Sequence, residues 1–381
     1  MAIPVLLVAT TTSWLGTARI PIALAKAGFD VSLLTPRHSL AEASRFIAKI
    51  GYLGNHTTRM QWFDAFTAMV DATLPRVVIP CDDVAFRLLA SVATEPPQGR
   101  RAERQLQLAA LVRTSLGQPE HYEPTVDKTL LPPRAEALGV QVPPYAIIAD
   151  LADAEAFVAR HPYPVVLKRA HGFAGHGVTI CASGGELAQA FDAFAVADAE
   201  DMHEATRGRY LLQAHVAGPV QYFHAVAWQG ELIAGWALEK LLANPAPKGP
   251  PTMTRYFPGP GLRKIAADLA RGFGINGLFF AEFIVDAATG TPCLLEINRR
   301  VSPATHRGVL QNVDLCAALF GALDGTASKS RAALDPDEEG ITVHFPQEWL
   351  RDPQSPHLHH YPLDVPWDEP ELIEALLKLR H

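Results

Sequence analysis

Cysteine is scarce in this 381-residue chain, and the four present (Cys81, Cys181, Cys293 and Cys316) lie far apart. Without a CxxC pair, the usual signatures of a zinc site or a disulfide framework are missing, and a reducing cytoplasm is the expected setting. Positive charge is also short: Asp and Glu outnumber Lys and Arg by 40 to 33, with no basic block. A nucleic-acid partner is therefore not expected, since binding to phosphate backbones needs clustered cations. No apolar run approaches the roughly 20 residues that cross a bilayer, so no membrane partner is expected either. The opening "MAIPVLLVAT" is apolar but short and lacks basic residues before it, so it reads as a buried strand and not a leader. Fixed-period repeats, GxGxxG and GxxxxGK[ST] are all missing.

The length suits two or three domains. Residues 1–103 alternate apolar strands (3–9, "DVSLLTP", "RVVIP") with helical stretches, which predicts an N-terminal α/β domain with a parallel sheet. A polar, proline-rich stretch (93–105) marks its end. Residues 104–205 read as linker helices and a small antiparallel lobe, 206–322 as a larger lobe, and 323–381 as a C-terminal extension. The extension begins with a disorder-prone run, "SKSRAALDPDEEG".

Chemistry first surfaces in "LKRAHGFAGHGV", 167–178. Lys168 precedes three glycines, Gly172, Gly175 and Gly177, and both flanks read as strands. Glycine permits positive φ and lets backbone N–H groups approach phosphate oxygens, so this loop is either a phosphate-covering flap or an ordinary hairpin. A second signal lies in "FFAEFIVDAATGTPCLLEINRR", 279–300. If Asp286 pairs with Pro292, Glu282 falls opposite Glu296 and Phe280 opposite Asn298, while Leu295 and Ile297 point into a core. Facing carboxylates on an apolar hairpin repel each other. Two Glu and an Asn amide form a hard oxygen set that suits Mg²⁺, with Mn²⁺ as the related alternative.

Taken together, four motifs in order resemble those of ATP-grasp enzymes over roughly 120–310: "DK…LGVQVP", "YPVVLKRAHGFAGHGV", "LLQAHVAGPVQ" and "FFAEFIVD…LLEINRR". The first two are especially similar to biotin carboxylase, and E-x-N-x-R is similar to carbamoyl-phosphate synthetase. The resemblance implies an N-terminal Rossmann-like α/β domain followed by a two-lobed fold gripping ATP. It implies that Lys128 and Lys168 hold the α- and β-phosphates under a flap that includes Gly172, Gly175, His176 and Gly177. Gln213, Ala214 and Val216 would meet adenine, and Gln221 the ribose. Glu282, Glu296 and Asn298 would bind the metal, and Arg300 would neutralise the γ-phosphate, with Lys168 and Lys240 beside it. Gln213 departs from the commoner Glu, and Gln221 from the commoner Glu or His. His171, Phe173 and His176 among the glycines either shield the site from water and touch the acceptor, or are incidental.

The implied activity is ADP-forming ligation of a carboxylate to an amine through an acyl phosphate, giving an amide or peptide bond. The alternatives are a carboxylase-type enzyme that phosphorylates bicarbonate and a non-catalytic ATP-binding regulator. "EKLLANPAPKGPPTMTRYF" (239–257) should overhang the site, so Lys240, Lys248 and Arg255, with Arg299 and His306, are candidates to hold a substrate carboxylate. "HLHH" (357–360) has a spacing that fits no familiar metal site and reads as an exposed loop. A homodimer is the default expectation for an enzyme of this size.

Overall fold

The computed structural model describes residues 2–54, 57–97, 102–172, 177–199, 208–246, 249–326 and 339–380. The disorder-prone run falls mostly outside them.

The first sheet is parallel, in the order β3-β2-β1-β4. It is built from β1 (Ile3–Val8), α1 (Leu15–Lys26), β2 (Phe29–Pro36), β3 (Lys49–Leu53), α2 (Arg59–Thr73), β4 (Val77–Pro80) and α3 (Asp83–Thr94). Helices cover both faces, which is why β1 is apolar throughout and not alternating. Val5 and Leu7 share a core with Ile20 and Leu24 of α1, while Leu6 and Val8 meet Trp62, Phe66 and Phe86. β3, "KIGYL", carries two polar or glycine positions and was not anticipated from the sequence.

Next come α4 (Ala102–Leu116), α5 (Tyr122–Val126), α6 (Leu131–Ala137), β5 (Tyr145–Ile148), α7 (Leu151–Val158), β6 (Val165–Arg169), β7 (Val178–Cys181), α8 (Gly184–Ala199) and β8 (Tyr210–Ala214). The four strands form a small antiparallel sheet, β5-β8-β6-β7. Strand alternation divides β6 in two. Val165 and Leu167 pack under α7 and α8 with Phe157 and Leu187, whereas Val166 and Lys168 face a cavity.

The third sheet has six antiparallel strands, β13-β12-β9-β10-β11-β14. Its elements are β9 (Val220–Trp228), β10 (Glu231–Ala243), β11 (Pro251–Phe257), α9 (Pro260–Gly272), β12 (Gly277–Val285), β13 (Pro292–Asn298), α10 (Leu315–Asp324) and β14 (Gly340–Val343). The tight Gln229-Gly230 turn joins β9 to β10 with both residues at positive φ, as a two-residue hairpin requires. One face packs on α9 through Phe223, Phe279 and Phe283. The other shares the core of α1 and the parallel sheet through Val226, Trp236 and Phe280. Three short helices end the chain: α11 (Gln347–Arg351), α12 (His357–His360) and α13 (Pro370–Leu377).

One boundary shifts by a strand: β8, placed with the larger lobe, pairs with β5 and β6 in the small sheet, because Val166 and Leu167 lie opposite Gln213 and Leu212. The C-terminal extension packs on the rest of the chain. β14 pairs with β11, and Leu372 and Leu376 of α13 are buried with Ala18 of α1.

Candidate active site

The small sheet, the six-stranded sheet, Trp14 from the loop before α1 and the C-terminal segment line one cavity of about 500 Å³. Along β9 its floor runs from Val220, just after the Gln213–Gly218 linker, to Tyr222 and His224. β12 adds Ile284, Glu282 and Phe280 alongside, because Ile284 pairs with Val220, Glu282 with Tyr222 and Phe280 with His224. The linker end, the acids and the aromatic end therefore follow one another along the strands.

Within the β12–β13 hairpin, Glu282 stands opposite Glu296 and Phe280 opposite Asn298, as alternation predicted. The loop end differs. A β-bulge after Glu282 shifts the register, so Val285 and not Asp286 pairs with Pro292. The bulge also turns Leu295 out of the core, and it lines the cavity beside Glu296, while Leu294 and Ile297 take the core positions. Asn298 Nδ2 donates to Glu296 Oε1 at 2.9 Å. Tyr222 pairs across from Glu282, and burial beside the two acids pushes its hydroxyl pKa up. Burial and the facing Glu296 push the Glu282 carboxyl up to about 7. Burial acts on Glu296 too, but Lys128, the Asn298 amide and Lys168 outweigh it and hold that carboxyl below its ordinary value.

Four cations converge on this pair. Lys128 sits between α5 and α6, with Nζ 3.5 Å from Glu296 Oε2. It also anchors the base of the glycine loop: its N–H donates to Ala170 O at 2.9 Å and its Nζ to Gly172 O at 2.7 Å. Lys168 is buried, which pulls its pKa down to about 8 against the pull of Glu296. Lys240 lines the cavity from β10. Arg300 stacks over Trp14 at 4.6 Å and Phe280 at 5.4 Å, and its Nε donates to Asp83 at 2.8 Å.

Long-range hydrogen bonds place Trp14. Asp82 accepts from the backbone and hydroxyl groups of Thr10 and Thr11, fixing the turn after β1, and Trp14 Nε1 donates to Val301 O at 3.1 Å. Gln213 is buried and lines the cavity with Ala214, His215 and Val216. The N–H groups of Ala214 and His215 are taken by Pro144 O and Pro164 O. Among the described residues, no partner is seen for the Val216 N–H.

Several expected residues lie elsewhere. Gln221 falls on the opposite face of β9 from Val220 and Tyr222, where its Nε2 donates to Glu239 at 3.0 Å. Arg255 pairs across from Glu239 and reaches the same carboxylate, on the face away from Lys240 and the cavity. Arg299 points the other way from Arg300; it is buried over Phe86 and donates to Leu116 O. His306 joins Arg19 and Arg307 around Asp364, away from the cavity lining. The flap positions Phe173, Gly175 and His176, and Lys248, lie outside the described residues. Gly172 and Gly177 both have positive φ. "HLHH" is the short helix α12 and not a loop.

The sequence reading missed Trp14, Tyr222, His224, Ser302, His344 and Gln347, which all line the cavity. Only the alternation of β9 signalled any of them, since it puts Tyr222 and His224 on the face of Val220.

Comparison with known proteins identifies the fold. The family described as carbamoyl-phosphate synthase L chain, ATP binding domain, matches residues 127–219. No curated protein matches the chain in sequence. Among solved structures, the biotin carboxylase domain dimer of Hydrogenobacter thermophilus 2-oxoglutarate carboxylase, in complex with MgADP, ADP and bicarbonate, is similar at 16% identity and TM-score 0.64, over 88% of this chain and 73% of that one. Campylobacter jejuni biotin carboxylase, in complex with an ATP analogue, is similar at 15% identity and TM-score 0.64, over 88% and 74%. L-amino acid ligase from Bacillus licheniformis is similar at 14% identity and TM-score 0.64, over 89% and 79%. Such identities speak to fold, and the fold is ATP-grasp. No helix among the described residues is long and apolar enough to cross a membrane.

Proposed function

We propose that this ATP-grasp chain is an ADP-forming ligase that phosphorylates a small carboxylate and passes the acyl group to an amine. The observation that carries the reading is convergence: Lys128, Lys168, Lys240, Arg300 and the Glu282–Glu296 pair line one cavity, with an apolar linker slot at one end and an aromatic chamber at the other.

In this reading, the Gln213 amide and the uncommitted Val216 N–H take the adenine edge. Lys128 and Lys168 hold the α- and β-phosphates, and the Lys128–Gly172 bond ties the loop that closes over them. The facing acids fit a divalent cation: they are hard oxygen donors whose repulsion the nearby lysines offset only in part, and Asn298 adds an amide oxygen. Glu282, Glu296 and Asn298 would hold Mg²⁺ or Mn²⁺, which when bound supplies charge neutralisation at the β- and γ-oxygens. Lys168 and Arg300 place positive charge where negative charge develops. Asp83, Trp14 and Phe280 keep the Arg300 guanidinium oriented, and the apolar walls limit access of water to an acyl phosphate.

The aromatic chamber argues against bicarbonate as acceptor, because a small hydrated anion gains nothing from Trp14, Tyr222, Leu238 and Phe280. A pure regulator has no use for two facing acids that cost stability. A homodimer in the cytoplasm is the expected setting. The test is release of ADP and phosphate from MgATP with pooled amino acids, run in parallel with bicarbonate alone. Turnover with the pool that Glu296→Gln abolishes supports the ligase; turnover with bicarbonate alone, or none at all despite ATP binding, refutes it.

A further inference from the structure

Two buried polar atoms on residues that line the cavity lack partners among the described residues. Arg300 is buried with Nε taken by Asp83, yet its Nη1 meets no acceptor among the described residues. Gln347, the first residue of α11, lines the same cavity, and its Oε1 is buried without a donor among the described residues. A buried polar group left unpaired is costly, so two such atoms at one cavity mark where a ligand's polar groups belong. One is a cationic donor and the other a neutral acceptor.

The surrounding wall is flat and apolar. His224 stacks between Trp236 and Phe280, each ring 5.0 Å away, and Nδ1 lies 3.3 Å from Ser302 Oγ. Trp14, Tyr222 and Leu238 complete that wall. The histidines bring no charge there. Burial pushes His224 down to about 3, and it holds His344 well below its ordinary value. His344 and Gln347 both line the cavity, so the turn between β14 and α11 forms part of its wall. His344 Nε2 lies 2.9 Å from Thr254 Oγ1, and Glu348 is fixed by Ser355 and Arg351, so the turn is held rigidly against β11.

We propose that the β14–α11 segment selects the acceptor: Arg300 takes the carboxylate, the aromatic wall takes a flat or branched apolar body, and Gln347 takes an N–H or O–H donor on that body. The substrate class is then a small apolar carboxylate carrying one hydrogen-bond donor. This rests on the ligase reading above, and Gln347 is a binding residue in it.

The test titrates the full chain, loaded with Mg²⁺ and a non-hydrolysable ATP analogue, with L-phenylalanine, 3-phenylpropionate, glycine and L-glutamate by calorimetry. L-phenylalanine should bind about tenfold tighter than 3-phenylpropionate, which lacks the donor, and tighter than glycine or glutamate, which lack the apolar body. Gln347→Leu should bring the first two within about twofold of each other by weakening L-phenylalanine alone. Equal binding of glycine, no binding of any of the four, or an unmoved ratio in Gln347→Leu overturns the inference. If Gln347→Leu and Gln347→Met both lose nucleotide binding, Gln347 holds the fold, and the inference is overturned. ADP release with the same four compounds separates the two readings. Binding of L-phenylalanine without ADP release refutes the ligase and keeps the specificity; equal ADP release from glycine and glutamate keeps the ligase and refutes the specificity.

Discussion

Replacing Glu282 by Gln should strengthen the metal-free protein while destroying its chemistry. The Glu282 carboxyl is pushed up to about 7 from an ordinary 4.5, first by burial and then by Glu296. A carboxyl raised in the folded state costs stability as pH climbs through that window, because the unfolded chain ionises first. The full cost of such a shift is about 3 kcal/mol. The pair opens onto the cavity, with the Glu296 side chain 27% exposed, so screening reduces the cost to about 1.5 kcal/mol. Glutamine carries none of it and keeps nearly the same shape. Urea unfolding in EDTA should therefore show Glu282→Gln more stable than wild type by about 1.5 kcal/mol at pH 8, and nearly equal at pH 4.5. With MgATP and substrate, ADP formation should fall by about two orders of magnitude or more. A variant less stable than wild type at pH 8 in EDTA would refute the argument, because the acid pair would then be a structural asset.

Three further outcomes follow from the same geometry. Lys128→Met removes the tether to Gly172 O and the proposed phosphate contact, so KM for ATP should rise by about tenfold or more, measured by coupled ADP assay. Acid should destabilise the fold early. Burial lowers the pKa of His224, His344 and His306, so the unfolded chain binds protons that the native state refuses; between about 6.5 and 3, His224 alone should cost about 1.4 kcal/mol per pH unit, read by urea unfolding across pH. Asp364→Asn should cost about 3 kcal/mol at pH 7, since Arg19 and Arg307 would be left buried around a neutral amide.

The facing of the two acids was legible because its signals are local. Alternation together with an assumed Asp286–Pro292 register put Glu282 opposite Glu296, and a bulge preserves that pairing although Val285 takes the place of Asp286. The bulge that turns Leu295 outward leaves no trace in composition, since Leu294 and Leu295 are the same residue type. Gln221 and Arg255 were misplaced by the strand period itself: each lies one residue from a position that faces the cavity, and only the pairing of both with Glu239 settles the face. Arg299 and Arg300 are neighbours sent in opposite directions by the end of β13. His306 is held by Arg19 and Asp364, 287 and 58 residues away, and Gln347 reaches the cavity only because β14 joins β11. No short-range pattern encodes such encounters.

β14 is an edge strand, joined to the sheet on one side through β11. In the proposed site, Glu296 and Asn298 sit on β13 at one edge of this sheet, whereas the turn that reads the acceptor hangs from the opposite edge. Its sequence is therefore free to drift without disturbing the hydrogen-bond ladders that hold Lys168, Glu282 and Glu296. Under the proposed reading, substitutions near position 347 should change acceptor preference and leave the acid pair in place.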